Sequence, residues 1–327
     1  MSSFITTARY DHFISSSKDE QILLHLREVS PTQTTVEPRA VLCVHGAVLS
    51  SIIFDIPVKG ASWLDYFAKN NLHAFAIDLR GYGKSTKPNV MDAHEQDAPS
   101  VCTHYDALSD IADAVNYIRS KFLVDQVTIV GLSWGSLLAG NFTHKYPHLI
   151  SHLVLIGPVY SYQNPIWAPV IDPNDPTKRH PAIGGYRVIS KEAMQTMWNL
   201  EIPFEDKSLW RNPNVWNTIE DEMLSGDRIW ATTNNVKAIR CPSGVVDDVV
   251  AMYNGHIFYP AEEILVPTLI LRGDHDTSSH PHDMENLFKR LGTEIKQYIQ
   301  IGNASHYALA ERRAPYMMTM VHGFIQS

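Results

Sequence analysis

Apolar and polar positions follow one another in short blocks along this chain. Near the start, HFISS and ILLHLREV flank the polar turn SKDE, a pattern that predicts a β-hairpin within the first forty residues. AVLCVHG is a short apolar run closed by glycine, and HAFAIDLRG repeats that design, so both read as buried strands. Between them, WLDYFAKNN predicts a helix. Leu108, Ile111, Val115 and Ile118 recur every three or four positions, which makes YDALSDIADAVNYIRSKF an amphipathic helix. QVTIVG is the next strand, SLLAGNFTHKYP the next helix and SHLVLIGP the strand after it.

After Pro158 this rhythm is lost. From Val159 to about Leu265 prolines and aromatics are dense, and no strand alternation stands out. Five of the seven tryptophans fall here: Trp167, Trp198, Trp210, Trp216 and Trp230. Helical pieces remain. Met194, Met197 and Trp198 share one face behind a Ser190 N-cap, and Val215, Ile219 and Met223 share another. Strand–helix alternation returns at PTLILRGDHD, passes through DMENLFKRL and EIKQYIQIG, and ends in a helix near YMMTMVHGFI.

The chain therefore reads as α/β, with a mostly parallel central sheet covered by helices on both faces. Residues 1–158 and 266–327 supply that core, and residues 159–265 form an inserted helical unit. Ligands of such sheets gather at the C-terminal ends of the strands. The insertion leaves from that edge, so it is expected to roof the site.

Composition narrows the partners. Of 327 residues, 44% are apolar and 19% charged, the profile of an ordinary globular protein. The formal net charge of −8 repels phosphate backbones and anionic lipid, which argues against nucleic acid and membrane as partners and leaves a small molecule. Three cysteines, Cys43, Cys102 and Cys241, are odd in number and lack CxxC spacing. That speaks against a disulfide framework or a zinc site and fits a reducing compartment. MSSFITTARYDHF lacks a basic start with an apolar core, and the closing FIQS is no recognised address, so a cytoplasmic location is expected. Sequons at Asn141 and Asn303 fall inside predicted core elements and are set aside. Whether the chain forms a homo-oligomer is left open.

The stretch with the sharpest chemistry is VTIVGLSWGS. A serine hydroxyl needs a base, an exposed position and donors for the oxyanion it generates. A strand turning sharply into a helix supplies two of these: prominence, and helix N-terminal N–H groups. The turn is so tight that residues two before and two after the serine must be small. Gly131-Leu132-Ser133-Trp134-Gly135 meets that requirement in a strand–helix context. The Trp134 N–H is one expected oxyanion donor, and its indole is expected to pack near the substrate. The Ala47 N–H, in the loop after CVHG, is the other. His45 beside Gly46 suits loop architecture better than base catalysis.

These pieces together resemble the α/β-hydrolase-fold enzymes with a helical cap. The likeness spans nearly the whole chain and rests on HG after the third strand, DLRGYGKS after the fourth, GLSWGS after the fifth, LRGDHD after a late strand and GNASH near the end. The resemblance implies a triad in the order Ser133, Asp276, His306. The family's G-x-x-D pattern selects Asp276, with Asp274 as the alternative acid. His306 would be the base, and the buried carboxylate would fix its tautomer. His45, Trp134, Trp167, Trp198 and Tyr307 are expected to contact substrate. No cofactor and no metal is expected: GYGKST departs from the phosphate-loop pattern at Asp78, and His275, His280 and His282 match no common metal spacing.

Family members that open epoxides or displace halide carry aspartate at the elbow, whereas Ser133 implies acyl transfer to water. The expected substrate is a small, largely apolar ester, lactone or related acyl compound. Thioesters, amides and the carbon–carbon bond of a vinylogous diketone suit the same chemistry. SWGS is also similar to the proline iminopeptidases, whose cap acids hold a substrate amine. Glu201, Glu205 and Asp206 could serve, although HGAVL here departs from that branch's HGGPG. A slow-hydrolysing receptor of the same fold is a further alternative.

Overall fold

The computed structural model describes residues 5–33 and 37–326. The first four residues of the N-terminal stretch and the last of the closing FIQS lie outside them. Strands β1 (Thr7–Ser15) and β2 (Leu23–Pro31) form the expected hairpin. Then follow β3 (Ala40–Val44), α1 (Trp63–Ala68), β4 (His73–Asp78), α2 (His104–Phe122), β5 (Val127–Leu132), α3 (Trp134–Lys145) and β6 (Ile150–Ile156). The segment after β6 holds β7 (Tyr186–Ser190), α4 (Lys191–Glu201), α5 (Pro213–Ser225), α6 (Arg228–Thr233), β8 (Ala238–Pro242) and α7 (Gly244–Tyr253). The chain closes with β9 (Thr268–Gly273), α8 (Pro281–Arg290), β10 (Lys296–Ile301) and α9 (Ala314–Ile325).

Eight strands make one sheet in the order β1-β2-β4-β3-β5-β6-β9-β10. From β4 to β10 all neighbours are parallel, and β2 runs against β1 and β4. Every residue of β3, β4, β5 and β9 is buried, so both faces of the sheet are covered. That is why these strands read as continuous apolar runs rather than alternating ones. The helices were legible for local reasons. Thr103 and Asp106 form a capping box at the start of α2, and Ser190 caps α4 through the Ala193 N–H. Among the described residues no helix is long and apolar enough to cross a membrane.

Two expectations need correction. The insertion is not purely helical: β7 and β8 pair antiparallel as a separate two-stranded sheet. Each strand has five residues, and their partners lie about fifty positions apart, so no local alternation betrays them. Asn303 lies in the exposed loop after β10 with positive φ, not inside a core element, whereas Asn141 is buried in α3.

Candidate active site

Ser133 stands between β5 and α3 with φ 56° and ψ −121°, a conformation that L-residues rarely adopt. The crowding around it explains its glycine neighbours. A Cβ on Gly131 would lie 2.3 Å from the Gly135 carbonyl oxygen. One on Gly135 would lie 2.3 and 2.4 Å from the carbonyl oxygens of Val44 and His45. No side chain fits at either place, so the strand can pass into the helix only with glycine at both.

The Ser133 N–H donates to the Ile156 carbonyl at 2.9 Å, which ties the elbow to the end of β6. The next residue, Gly157, has φ +52°, and a Cβ there would meet Asp276 Oδ2 at 2.8 Å and His306 Nδ1 at 3.1 Å. Gly157 thus lets the loops after β9 and β10 close down beside the elbow. His306 Nδ1 lies 2.9 Å from both carboxylate oxygens of Asp276. Asp276 is buried, and its Oδ1 also accepts the N–H groups of Ser278 and Ser279. Asp274 does not reach the imidazole. Its carboxylate accepts the N–H groups of Asn303 and Ala304 and so braces the loop that carries His306.

Burial alone would lower the pKa of His306. The charge and hydrogen bond of Asp276, with Glu201 beyond it, outweigh burial and push it up to about 9, against the opposing charge of Arg272. The arrangement favours an imidazolium held by its carboxylate, the species a general base becomes after taking a proton.

The HG loop also converges here. A Cβ on Gly46 would lie 3.1 Å from Ser133 Cβ, and Ala47 follows at once. Ala47, Ser133 and Trp134 line a cavity of about 70 Å³ whose remaining wall is mostly apolar, including Leu137, Trp167, Val249 and Met252. Arg187 and Asp248 are its two charged members. A wider depression of about 710 Å³ along α5 and α6 carries Asp221, Arg228 and Lys237 but none of the groups just described.

Several expected substrate contacts sit elsewhere. His45 is fully buried: its Nδ1–H donates to the Gly46 carbonyl at 2.8 Å and its Nε2 accepts the Leu79 N–H at 3.2 Å. Burial lowers its pKa, which matches a neutral ring bracing the loop. Trp198 is fully buried, donates to Glu311 Oε1 at 2.8 Å and stacks on Tyr307 at 5.3 Å. It belongs to the seam between α4 and the loop after β10, not to the cavity wall, and Tyr307 packs in the same seam. Trp167 and Trp134 do line the cavity.

Asp248 escaped sequence reasoning. It lies in α7, where GVVDDVVAMY interrupts an apolar run with two acids. Asp247 faces Arg179, while Asp248 is buried and takes the Trp134 indole N–H at 2.8 Å and His104 Nδ1 at 2.7 Å. The two adjacent acids were a usable signal, because one face of α7 is solvated and the other is not. Arg187 was missed as well. Its Nη2 donates to the Ala47 carbonyl at 3.0 Å and to that of Pro242 at 2.9 Å.

Residues 39–180 match the family model described as alpha/beta hydrolase fold. Epoxide hydrolase 3 of Xenopus tropicalis is 23% identical, over 81% of this chain and 68% of that protein. Shorter matches to other curated relatives cover 22% and 17% of those proteins. Among solved structures, a laboratory-evolved variant of potato epoxide hydrolase superposes with a TM-score of 0.65 at 16% identity, over 98% of this chain and 99% of that one. The 2-hydroxy-6-oxo-6-phenylhexa-2,4-dienoate hydrolase of Rhodococcus sp. strain RHA1 gives 0.63 at 15% identity, over 98% and 100%.

Proposed function

The chain has the α/β-hydrolase fold, and we propose that on it Ser133, His306 and Asp276 form the catalytic triad of a serine hydrolase acting on a small, largely apolar acyl substrate. The observation that carries this reading is the strained Ser133 at a cavity wall, with the His306–Asp276 pair packed against the neighbouring strand end through Gly157. In the reaction, Ser133 Oγ attacks the substrate carbonyl while His306 takes its proton. The Ala47 and Trp134 N–H groups hold the oxyanion, and the positive end of α3 assists them. His306 then returns the proton to the leaving group. Water, activated by the same ring, releases the acyl group from Ser133.

Ester and lactone cleavage suit the cavity best, because its wall offers apolar contact and few polar anchors. Epoxide opening, the activity named for two of the relatives, is not proposed here, since a serine rather than an aspartate stands at the elbow. Two of the three acids that could hold a substrate amine are already engaged, which leaves the exposed Glu205 as the acid able to meet one. Both Glu201 oxygens are engaged by Thr277 and the His306 N–H, and Asp206 caps the short turn that follows it. Carbon–carbon hydrolysis uses the same triad and is separated from ester hydrolysis by substrate alone.

The test is covalent labelling with a fluorophosphonate probe, with the adduct located by mass spectrometry, beside turnover of an ester and lactone panel. Wild type should label at Ser133, and Ser133→Ala should lose both labelling and at least about 10⁵-fold in kcat/KM, as removal of a triad nucleophile does elsewhere. Retained turnover in Ser133→Ala would sink the reading. Slow single turnover with tight product retention would instead favour a receptor.

A further inference from the structure

One carboxylate of the insertion reaches both loops that carry the His–Asp pair. Glu201 is the last residue of α4. Its Oε2 accepts the backbone N–H of His306 at 2.6 Å. Its Oε1 accepts the Thr277 hydroxyl at 2.5 Å and the Thr277 N–H at 3.3 Å. Thr277 directly follows Asp276, so a single side chain grips the residue bearing the imidazole and the neighbour of its acid. Hydrogen bonds to an ionised carboxylate are roughly twice as strong as neutral ones.

The rest of α4 is docked on the same loop. One turn before Glu201, Trp198 stacks on Tyr307 and donates to Glu311. Glu311 in turn accepts the Ser305 N–H at 3.0 Å and the Ser305 hydroxyl at 2.6 Å. Ser305, His306 and Tyr307 are therefore all held by α4, directly or through Glu311.

The cavity gives this hold a consequence. At about 70 Å³ it is far below the roughly 300 Å³ at which pockets for drug-sized ligands begin, so most substrates enter only if the insertion moves. Movement of α4 would withdraw Glu201.

We propose that Glu201 is a positioning residue of the proton relay: it fixes the His306 loop against the Asp276 loop while α4 is docked, so that cap opening loosens the relay and closure restores it. This rests on the triad reading above. The charge acts alongside the geometry. The charged groups facing His306 are Asp276 and Arg272 from the core and Glu201 from the insertion, and Glu311 lies one contact further, beside Tyr307. Removing the Glu201 charge lowers the imidazole pKa. Since that pKa is raised above its ordinary value, the neutral base becomes available at lower pH.

The experiment is a pH titration of the His306 imidazole by NMR in a Ser133→Ala background, with and without Glu201→Gln, together with kcat and KM of Glu201→Gln in the otherwise native enzyme. Glutamine keeps the length but brings an NH₂ against an N–H donor. The expected result is an apparent pKa lower by about one pH unit. In the active enzyme kcat should fall about 10- to 100-fold with little change in KM, the size of loss that slight misplacement of a reacting group causes. Glu201→Asp keeps the charge on a shorter stem, so it should restore the titration but not kcat. A merely structural tie would lower the melting temperature and leave kcat unchanged, even though loss of the charge still shifts the titration, and that outcome overturns the proposal. Should Glu201→Gln fail to fold, Thr277→Val removes one anchor alone. It should cost several-fold in kcat with the titration intact, and no loss there would equally overturn it. The titration needs neither substrate nor nucleophile, so it stands apart from any failure of the serine reading.

Discussion

The loops at the ends of the sheet strands and the insertion that follows β6 contribute different things to the site. Every group proposed to exchange a proton or form a bond sits on a strand-end loop: Ser133 after β5, Asp276 after β9 and His306 after β10. The insertion supplies charged side chains that grip those loops. Arg187 of β7 holds the Ala47 carbonyl, Glu201 of α4 holds His306 and Thr277, and Asp248 of α7 holds the Trp134 indole. On the proposed reading, reactivity belongs to tight turns of one sheet and its alignment to a second layer. A fold divided this way can change its roof, and with it the substrate, while the relay stays on rigid strands.

The comparison predicts the largest losses on the core side. Asp276→Asn should lower kcat by about 10⁴-fold, because the amide no longer stabilises the imidazolium or selects the right tautomer. Asp274→Asn, two residues away, removes only a loop brace and should cost less than about 10-fold in a steady-state assay. Equal losses in the two variants would break the assignment of Asp276 as the partner of His306.

Gly157→Ala probes the same side without replacing a functional side chain. The new Cβ would press on Asp276 Oδ2 and His306 Nδ1, and the backbone would keep a left-handed φ that costs about 1–2 kcal/mol for a non-glycine residue. A displacement of the relay by under an ångström should cost about 10²-fold in kcat, with only a modest drop in the urea midpoint. Near-native turnover would mean that the His–Asp pair tolerates movement, and the close packing at β6 would lose its significance.

Legibility in the sequence follows the same division. Ser133 could be read because its constraints are local: Gly131 and Gly135 answer steric demands within five residues, and strand and helix lie on either side. Asp276 and His306 were recognisable only as family positions, although Asp276 follows the evident apolar run of β9, whereas β10 mixes polar and apolar residues. The parallel sheet was readable because its central strands are buried on both faces. In the sequence Glu201 reads as a candidate amine ligand and Trp198 as a substrate contact. Both instead dock α4 on a loop about a hundred residues further along, and no local pattern encodes such a partner. His45 misled for a related reason: an imidazole beside the elbow looks functional until both nitrogens prove to be spent on backbone groups.

The smallest effect belongs to the insertion, and it sharpens the comparison by changing specificity without chemistry. Val249 of α7 lines the cavity and is buried. Val249→Ala removes two methyl groups from a wall of a chamber of only about 70 Å³, so the relative gain in room is large. The ratio of kcat/KM for a longer over a shorter acyl ester should rise about tenfold, the discrimination a single methylene commonly carries in an apolar pocket. The His306 titration should not move, because the substitution adds or removes no charge or hydrogen-bonding group. A uniform loss on all esters, with no change in the ratio, would place the acyl group somewhere other than against α7.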